Sequence, residues 1–276
     1  MPDNVKLSSK LHGSRILVVG GSAGVGYAVA EASIEQGAAA IIISSSNPGR
    51  VENSVTRLRN SYPSKADGVS GVACNLAQAD DLETNIVALL DAATINGAQK
   101  PDHIAYTAGD TPIPKALGDV DLKYIKVSFL VRSFAAMLFA KHASKYLVPG
   151  PGSSLTLTSG TASVRPNPNW PALTAVTSSV TGLARALALD LRPTRVNAVT
   201  LGVVNTETFQ SYWTDKTSEE KEKLVSLTTA KTATGAVGQP EDVAEAYIYC
   251  MRDHNITRTS VYTIAVSSLY KQYIGI

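Results

Sequence analysis

The chain has 276 residues, 44% of them apolar and 17% charged, and its 25 Lys and Arg residues nearly balance 23 Asp and Glu residues. That length suits one or two domains with a sizeable core, and a net charge of +2 without runs of like charge argues against nucleic acid and membrane surfaces as partners. The two cysteines, Cys74 and Cys250, are too few for a disulfide framework or a Cys-rich metal site, so we expect both in the core and no bound metal.

The N-terminal segment is polar, and no apolar run approaches the roughly eighteen residues of a membrane span, so we expect a soluble, cytoplasmic protein. Short, mostly apolar segments of the kind that form buried parallel strands then recur along the chain. They are Arg15–Gly20, Ala38–Ser44, Val69–Cys74, His103–Thr107, Ser154–Thr158 and Arg195–Val199. Segments of helical periodicity separate them, among them Gly26–Gln36, Asp80–Ile95, Leu122–Tyr146 and Leu173–Leu191.

This alternation predicts an α/β fold, namely a three-layer, doubly wound parallel sheet (Rossmann fold) of about seven strands in a single domain. Gln239-Pro240-Glu241 opens a further helix, and Val261–Val266 supplies the last strand. The stretch Asn205–Gly235 is polar and rich in Thr, Lys and Glu. We interpret it as a substrate lid over one end of the sheet.

The first strand leads directly into a glycine-rich loop that is followed by a helix. Glycines allow a tight turn there and let backbone N–H groups approach a pyrophosphate at the positive end of the helix. A glycine cluster alone is also compatible with a simple turn, but the strand, loop and helix context favours a dinucleotide site. The residues that we assign to it are Gly20, Ser22, Gly24, Val25 and Gly26.

The second strand ends in Ser44-Ser45-Ser46-Asn47, with Arg50 close behind and no carboxylate among them. An acidic residue at this point binds the ribose hydroxyls of NAD and repels a 2′-phosphate, whereas hydroxyls and a guanidinium bind the phosphate. We therefore predict NADPH rather than NADH, with Ser44, Ser45, Ser46 and Arg50 in the site. The alternative is that Arg50 is only a solvated helix residue.

The spacing Gly-x3-Gly-x-Gly resembles that of the short-chain dehydrogenase/reductase family, and the resemblance covers nearly the whole chain. Cys74-Asn75-Leu76 resembles the Asp-Val or Asp-Leu element beside the adenine, and Tyr106-Thr107-Ala108-Gly109 resembles the Asn-Asn-Ala-Gly element. Leu201–Thr206 is similar to the turn at the nicotinamide end, with Leu201 in place of Pro. The resemblance implies further cofactor contacts from Asn75, Leu76, Ala108, Gly109, Val204 and Thr206.

The family's catalytic pattern is incomplete in this chain. Ordinary members use a Tyr, a Lys four residues on, a Ser and an Asn, and counting from the helix at Gly182 places Leu173 and Thr177 where the Tyr and Lys belong. Arg132 stands at the Asn position, and only Ser159 remains. A Tyr-x3-Lys pattern does begin at Tyr212, but it lies in the polar insertion and we regard it as chance, with Tyr212 kept as a minor substrate-contact candidate.

Between Ser159 and the next helix lies Arg165-Pro166-Asn167-Pro168-Asn169-Trp170-Pro171. Three prolines make a stiff loop, and Trp170 offers a broad apolar face. One interpretation is a rigid helix entry plugged by Trp170. The other is a substrate wall, because this loop borders the nicotinamide in folds of this type.

The Pro-Asn-Pro-Asn-Trp run, Arg132 and the missing Tyr/Lys pair together resemble the fungal reductase/Diels-Alderases of the malbrancheamide and paraherquamide pathways. The resemblance implies NADPH-dependent reduction of an iminium in a cyclised prenyl-indole dipeptide, then an intramolecular Diels–Alder cycloaddition. It also implies that Asn167 replaces an Asp. The catalytic candidates are then Arg132, Asn167 and Ser159. The candidates for substrate contact are Tyr106, Arg165, Pro166, Pro168, Trp170, Leu173 and Tyr212.

Two other functions remain open from the sequence. One is a conventional NADP-dependent carbonyl reductase that uses Tyr212 or Tyr106 as a displaced acid. The other is a protein that binds NADPH without catalysis. The expected partner is a small molecule, which is an indole alkaloid substrate if the chain is a reductase/Diels-Alderase. Analogy with the family also suggests a homo-oligomer, either a dimer or a tetramer.

Overall fold

The computed structural model of the chain describes residues 10–111, 113–211, 214, 216–230 and 232–264. Within them, seven parallel strands form one sheet in the order β3-β2-β1-β4-β5-β6-β7. The strands are β1 (Arg15–Val19), β2 (Ala40–Ser45), β3 (Val69–Ala73), β4 (His103–Tyr106), β5 (Ser154–Gly160), β6 (Arg195–Leu201) and β7 (Ser260–Thr263). The predicted fold class is confirmed, since the strand order reverses between β1 and β4 as in a doubly wound sheet.

Helices cover both faces of the sheet. They are α1 (Gly24–Glu35), α2 (Pro48–Ser61), α3 (Leu82–Thr94), α4 (Leu122–Phe129), α5 (Ala136–Tyr146), α6 (Pro171–Asp190), α7 (Glu207–Ser211), α8 (Ser218–Thr229) and α9 (Pro240–Arg252). Buried side chains of α1, α2 and α9 form one core cluster, and those of α3, α5 and α6 form the other.

Strand β1 is apolar from Ile16 to Val19 because both of its faces are buried. In β1, Leu17 and Val19 pack into the cluster of α3, α5 and α6, while Ile16 and Val18 pack into the cluster of α1, α2 and α9. A strand that is buried on both faces has no polar face to alternate with. The same physical reason explains why the strand segments were visible in the sequence.

The predicted helix Leu122–Tyr146 is not a regular α-helix. The α-helical segments α4 and α5 are joined by a π-helical turn over Leu130–Ala135, which contains Arg132. Single π turns inside α-helices occur often at functional sites. The lid region folds into α7 and α8, and a capping box between Thr217 and Glu220 begins α8.

By length and composition alone, helix α6 is long and apolar enough to cross a membrane, so our expectation that no apolar segment reaches that length was wrong. In the fold, α6 packs on β5 and β6 and buries Val176, Val180 and Ala184. Its apolar character is explained by the core, because a helix that faces a buried sheet needs a broad apolar stripe.

Candidate active site

The glycine loop lies at the carboxyl ends of β1 and β4, where the strand order reverses. Gly20 has φ +91° and Gly24 has φ +50°, both in the left-handed region that glycine adopts without strain. A Cβ on Gly26 would lie 2.2 Å from the Gly20 carbonyl oxygen and 2.5 Å from Thr107 Oγ1, so only glycine fits there. The missing side chains at these glycines let the loop, the helix and the strand pack closely and leave the loop backbone accessible to a ligand.

The N-terminus of α1 is suited to an anion. Ala23 supplies no side-chain cap, the first turn has no acidic residue, and the first helical hydrogen bond runs from the Tyr27 N–H to the Ala23 carbonyl. The preceding N–H groups of α1, including those of Gly24 and Val25, therefore have no helical acceptor and point toward the loop mouth. Thr206 covers this point, because a Cβ on Gly24 would lie 3.0 Å from its methyl carbon.

The end of β2 divides into a supporting part and an exposed part. Ser44 is 1% exposed, and its carbonyl accepts hydrogen bonds from the N–H groups of Gly20 and Gly21. Ser44 therefore supports the loop through its backbone, whereas Ser46 and Arg50 expose their side chains and Ser45 is half-buried. This arrangement leaves hydroxyls and a guanidinium on the surface beside the glycine loop.

Helix α2, which carries Arg50, is attached to this loop. Asn47 caps the helix, with its Oδ1 accepting from the Arg50 N–H at 3.0 Å. The buried Ser54 Oγ donates to the Ser22 carbonyl at 2.8 Å. The sequence analysis missed Ser54, because a single Ser on a helix gives no signal of a partner 32 positions away in the chain.

The segments that follow β3 and β4 carry the predicted contacts to the adenine and the nicotinamide. Asn75 Oδ1 accepts from the Ala77 N–H at 2.9 Å, and Leu76 is buried. A Cβ on Gly20 would lie 2.6 Å from the Ala108 nitrogen, so the β4 loop lies against the glycine loop. Gly109 follows and is exposed.

Arg132 lies directly over Gly109. A Cβ on Gly109 would stand 2.5 Å from the Arg132 Cζ, and Arg132 Nη2 donates to the Asp110 carbonyl at 2.6 Å. Partial desolvation raises the pKa of the Asp110 carboxyl, and the positive charge of Arg132 opposes that shift. The predicted catalytic Arg is thus held at the carboxyl end of β4, next to the predicted cofactor contacts.

Tyr106 does not lie where we predicted. Its side chain is 2% exposed, its hydroxyl donates to the Val131 carbonyl at 2.7 Å, and its ring packs edge-on against Phe139 with 5.6 Å between centroids. Burial raises the pKa of Tyr106 far above that of a free phenol. The predictions that Tyr106 contacts substrate or acts as a displaced acid are therefore wrong, because a residue in the core reaches neither substrate nor solvent. Tyr212 lies outside the described residues.

Ser159 is brought next to Thr177, one of the two helix positions at which the sequence analysis expects the catalytic Tyr and Lys to be missing. Its buried Oγ donates to the Thr177 carbonyl at 2.8 Å, and Thr177 Oγ1 donates to the Leu173 carbonyl at 2.9 Å. The hydroxyl proton of Ser159 is thus engaged by the helix. Ser159 offers a substrate lone pairs rather than a donor.

The loop between Arg165 and Pro171 forms a tight turn. The Asn167 carbonyl accepts from the Trp170 N–H at 3.2 Å, with Pro168 second and Asn169, at φ +64°, third in the turn. Proline followed by a residue with positive φ is typical of a type II turn. Asn167 and both prolines of the turn region, Pro166 and Pro168, are exposed, whereas Arg165 and Trp170 are half-buried.

A second loop reinforces this turn. The Lys115 N–H donates to the Asn169 carbonyl at 2.9 Å, which joins the segment after β4 to the proline-rich loop. Ile113 and Leu117 of the same segment are 72% and 76% exposed, and Val164 and Val203 add further exposed apolar surface. The mouth of the site is therefore bordered by large apolar side chains that are exposed in the described part of the chain.

The segment that we interpret as a lid borders a cleft of about 490 Å³ between α7, α8 and the residues before α9. Its lining includes Asn205, Phe209, Gln210, Lys221, Val225 and Gln239. Across the described ranges, no group of three or more His, Cys, Asp and Glu residues is placed to hold a metal ion.

The chain resembles known proteins over most of its length. A family model for the SDR-like Rossmann domain matches residues 7–269. The short-chain dehydrogenase/reductase ucsE of Acremonium sp is 40% identical over 248 residues, which cover 89% of this chain and 92% of that protein. The solved structure of the MalC reductase/Diels-Alderase from Malbranchea aurantiaca is 37% identical, with a TM-score of 0.86 over 95% of this chain and 98% of that one. A short-chain dehydrogenase from Burkholderia cenocepacia in complex with NADP shares the fold at 20% identity, with a TM-score of 0.77 over 93% of this chain and 98% of that one.

Proposed function

The chain belongs to the short-chain dehydrogenase/reductase family, and on that premise we propose that it is an NADPH-dependent reductase/Diels-Alderase. Its substrate is an iminium in a cyclised prenyl-indole dipeptide, and its product is a bridged bicyclic indole alkaloid. The observation that carries the proposal is Arg132, seated over Gly109 at the point where a standard family member has Asn. The likeness to MalC, a reductase/Diels-Alderase by name, supports the same reaction.

The residues at the carboxyl ends of the strands fit a dinucleotide. Gly20 and Gly26 leave no space for a Cβ, and the open N–H groups at the start of α1 bind the pyrophosphate. Ser46 and Arg50 bind the 2′-phosphate, and Thr206 lies at the nicotinamide end. When bound, NADPH supplies the hydride that the reduction needs.

The residues around Ser159 suit an iminium better than a ketone. A ketone that gains a hydride becomes an alkoxide and requires a proton donor, whereas an iminium becomes a neutral amine and does not. Leu173 and Thr177 offer no phenol or ammonium group, and the proton of Ser159 is bonded to the Thr177 carbonyl. The absence of a donor at these positions therefore does not impede the proposed step.

The cycloaddition depends on holding two parts of one molecule in a single reactive orientation. That effect is entropic and needs a shaped, stiff surface rather than an acid or base. The turn at Pro168, its link from Lys115 and the half-buried Trp170 form such a surface. Arg132 donates hydrogen bonds to substrate oxygens, and the exposed apolar side chains of Ile113 and Leu117 receive the prenyl-indole.

The proposal is tested by single-turnover assays with the prenylated dipeptide aldehyde and NADPH, with mass-spectrometric detection of the bridged product. We expect NADPH oxidation and product formation to proceed together, and Arg132→Ala to abolish both. Arg185→Ala, which removes an exposed arginine of α6, serves as the control. Equal conversion by Arg132→Ala would refute the assignment of Arg132.

Asn167 favours a second candidate function, NADPH binding without turnover. An amide neither accepts nor delivers a proton at neutral pH, so a site built around an acid at this position would bind its ligands and react poorly. This candidate is preferred if NADPH binds and no product forms even after Asn167→Asp. A conventional carbonyl reductase would instead turn over a simple ketone and lose that activity in Tyr212→Phe.

We further propose that the protein is a cytoplasmic homo-oligomer. The face formed by α4, the π turn and α5 exposes Val127, Phe134 and Met137, which are 57%, 45% and 52% exposed. Such apolar surface is typical of a subunit contact. Light scattering should give the mass of a dimer or tetramer, and Met137→Glu should lower it.

A further inference from the structure

The π turn over Leu130–Ala135 places one residue of the active site and one tether side by side. Arg132 is half-buried and faces Gly109, whereas the preceding residue, Val131, is 5% exposed and directs its carbonyl into the core. A wide turn departs from the regular α-helical hydrogen-bond ladder, and a side-chain donor can hold one of its carbonyls in place. The donor here is the Tyr106 hydroxyl, at 2.7 Å from the Val131 oxygen.

Tyr106 is well suited to hold that carbonyl because the residue itself is fixed from several directions. It lies on β4, in register with Val19 of β1 and Leu157 of β5. Its carbonyl accepts from Thr158 Oγ1 at 2.7 Å, and its ring packs against Phe139. A hydroxyl on a rigid ring that is anchored to the central sheet defines one position for its acceptor.

The guanidinium end of Arg132 is fixed separately. Its Nη2 donates to the Asp110 carbonyl, and the missing side chain of Gly109 leaves the space that it occupies. Gly109 and Asp110 follow β4 directly, only three and four positions after Tyr106. One short segment therefore holds Arg132 at both ends, through the Val131 carbonyl on the helix side and through the guanidinium on the loop side.

We infer that Tyr106 is a positioning residue that fixes the π turn and thereby the placement of Arg132 over Gly109. Nothing in its burial or its contacts gives Tyr106 a direct role with substrate. The inference rests on the proposed function only where it concerns turnover, since the placement of Arg132 is a property of the folded chain. The role of Tyr106 is therefore structural support of Arg132, and not the substrate contact or acid function that the sequence predicted.

The placement is measured by the ¹⁵N spectrum of arginine Nε–Hε groups in the deuterated full chain, in which Arg132→Ala identifies the Arg132 resonance. We expect Tyr106→Phe to shift or broaden that resonance. Gly109→Ala should also move it, because the added methyl displaces a flexible guanidinium rather than backbone. Tyr146→Phe is the matched control, since it removes a tyrosine hydroxyl that bonds Asp91 and neither Tyr106 nor the π turn.

Turnover adds a readout that a merely structural role would not move. With the proposed substrate, Tyr106→Phe should lower kcat/KM about tenfold, which is ~1.4 kcal/mol of transition-state stabilisation, and leave the Kd of NADPH unchanged. If Tyr106→Phe does not fold, Phe139→Leu keeps the hydroxyl and removes the ring that orients it, and it should shift the Arg132 resonance in the same direction. An unshifted Arg132 resonance in folded Tyr106→Phe or Phe139→Leu, or an equal shift in Tyr146→Phe, overturns the inference. A wild-type chain that fails to convert the substrate refutes the proposed function and leaves the spectroscopic test intact.

Discussion

The substitution Asn167→Asp separates the proposed chemistry from a generic reductase. The Asn167 side chain is exposed, and the residue joins the turn through its backbone carbonyl, which accepts from the Trp170 N–H at 3.2 Å. An amide is replaced by a carboxylate of equal size without loss of a described side-chain bond. We therefore expect the free energy of unfolding to change by less than about 0.5 kcal/mol, as for other surface substitutions.

The chemistry should respond far more strongly than the stability. A positioned acid or base commonly accelerates a proton transfer by about 10²–10⁴-fold, and solvent screening at an exposed site favours the lower end of that range. We expect formation of the bridged product to rise at least about tenfold, equivalent to ~1.4 kcal/mol in the barrier. The dissociation constant of NADPH should stay the same, because the hydrogen bond described for Asn167 joins it to Trp170 and not to the glycine loop.

The assay is a single-turnover reaction that follows NADPH oxidation and product together in the wild type and in Asn167→Asp. Asn169→Asp is the matched control, since it makes the same chemical change two residues on in the same exposed turn, at a positive φ that Asp tolerates. Equal rates for the wild type and Asn167→Asp would refute the reasoning. The proline-rich loop would then be a structural entry to α6 and not an element that handles protons.

For the cofactor, we expect NADPH to bind at least about tenfold more tightly than NADH, and Arg50→Ala to reduce that ratio of dissociation constants. Arg57→Ala on the same helix, where the guanidinium lies over the Tyr27 ring, should leave the ratio unchanged. Equal dissociation constants for NADPH and NADH by titration would refute the preference. For pH, burial lowers the pKa of His103 to about 3, below its unfolded value near 6.5. Between these two pKa values only the unfolded chain binds the proton, so the free energy of unfolding should fall by ~1.4 kcal/mol per pH unit as the pH drops below 6.5. Urea unfolding of His103→Gln should show a weaker dependence of that free energy on pH. The guanidinium of the buried Arg195 donates to the carbonyls of Cys250 and Met251 at the end of α9. In thermal unfolding, Arg195→Met should lower the free energy of unfolding by about 3 kcal/mol or more, and Arg192→Met, at an exposed arginine, by less than about 0.5 kcal/mol.

Most of the fold was predictable because the signals that define it are local. Apolar runs mark strands that are buried on both faces, and a proline after a turn marks a helix start, as at Pro240. The glycine loop was readable for the same reason, since strand, loop and helix are consecutive in the chain. The first six strands and the helices α1, α3 and α6 were placed correctly, with ends that differ from the structure by a few residues, because fraying and capping are set by tertiary contacts.

The contacts that complete the candidate site were not predictable because they join residues that are distant in sequence. The Tyr106 hydroxyl meets a carbonyl 25 positions away, and Ser54 meets one 32 positions away. No composition or periodicity reports such pairs. The π turn is equally invisible, since Leu122–Tyr146 has an uninterrupted helical pattern and the widened turn is stabilised by its surroundings.

The structure also explains how a chain can carry Leu173 and Thr177 on α6 and keep the fold. Buried polar groups must be hydrogen-bonded, so a site that loses partners is stable only if the remaining groups satisfy one another. Thr177 Oγ1 bonds the Leu173 carbonyl within the helix, and the Ser159 hydroxyl bonds the Thr177 carbonyl. These residues depend on no cofactor or substrate for their partners. The guanidinium of Arg132 is held by Gly109 and Asp110, on the segment after β4, while the π turn that carries it also bonds α6 through the Ser133 and Ser179 hydroxyls.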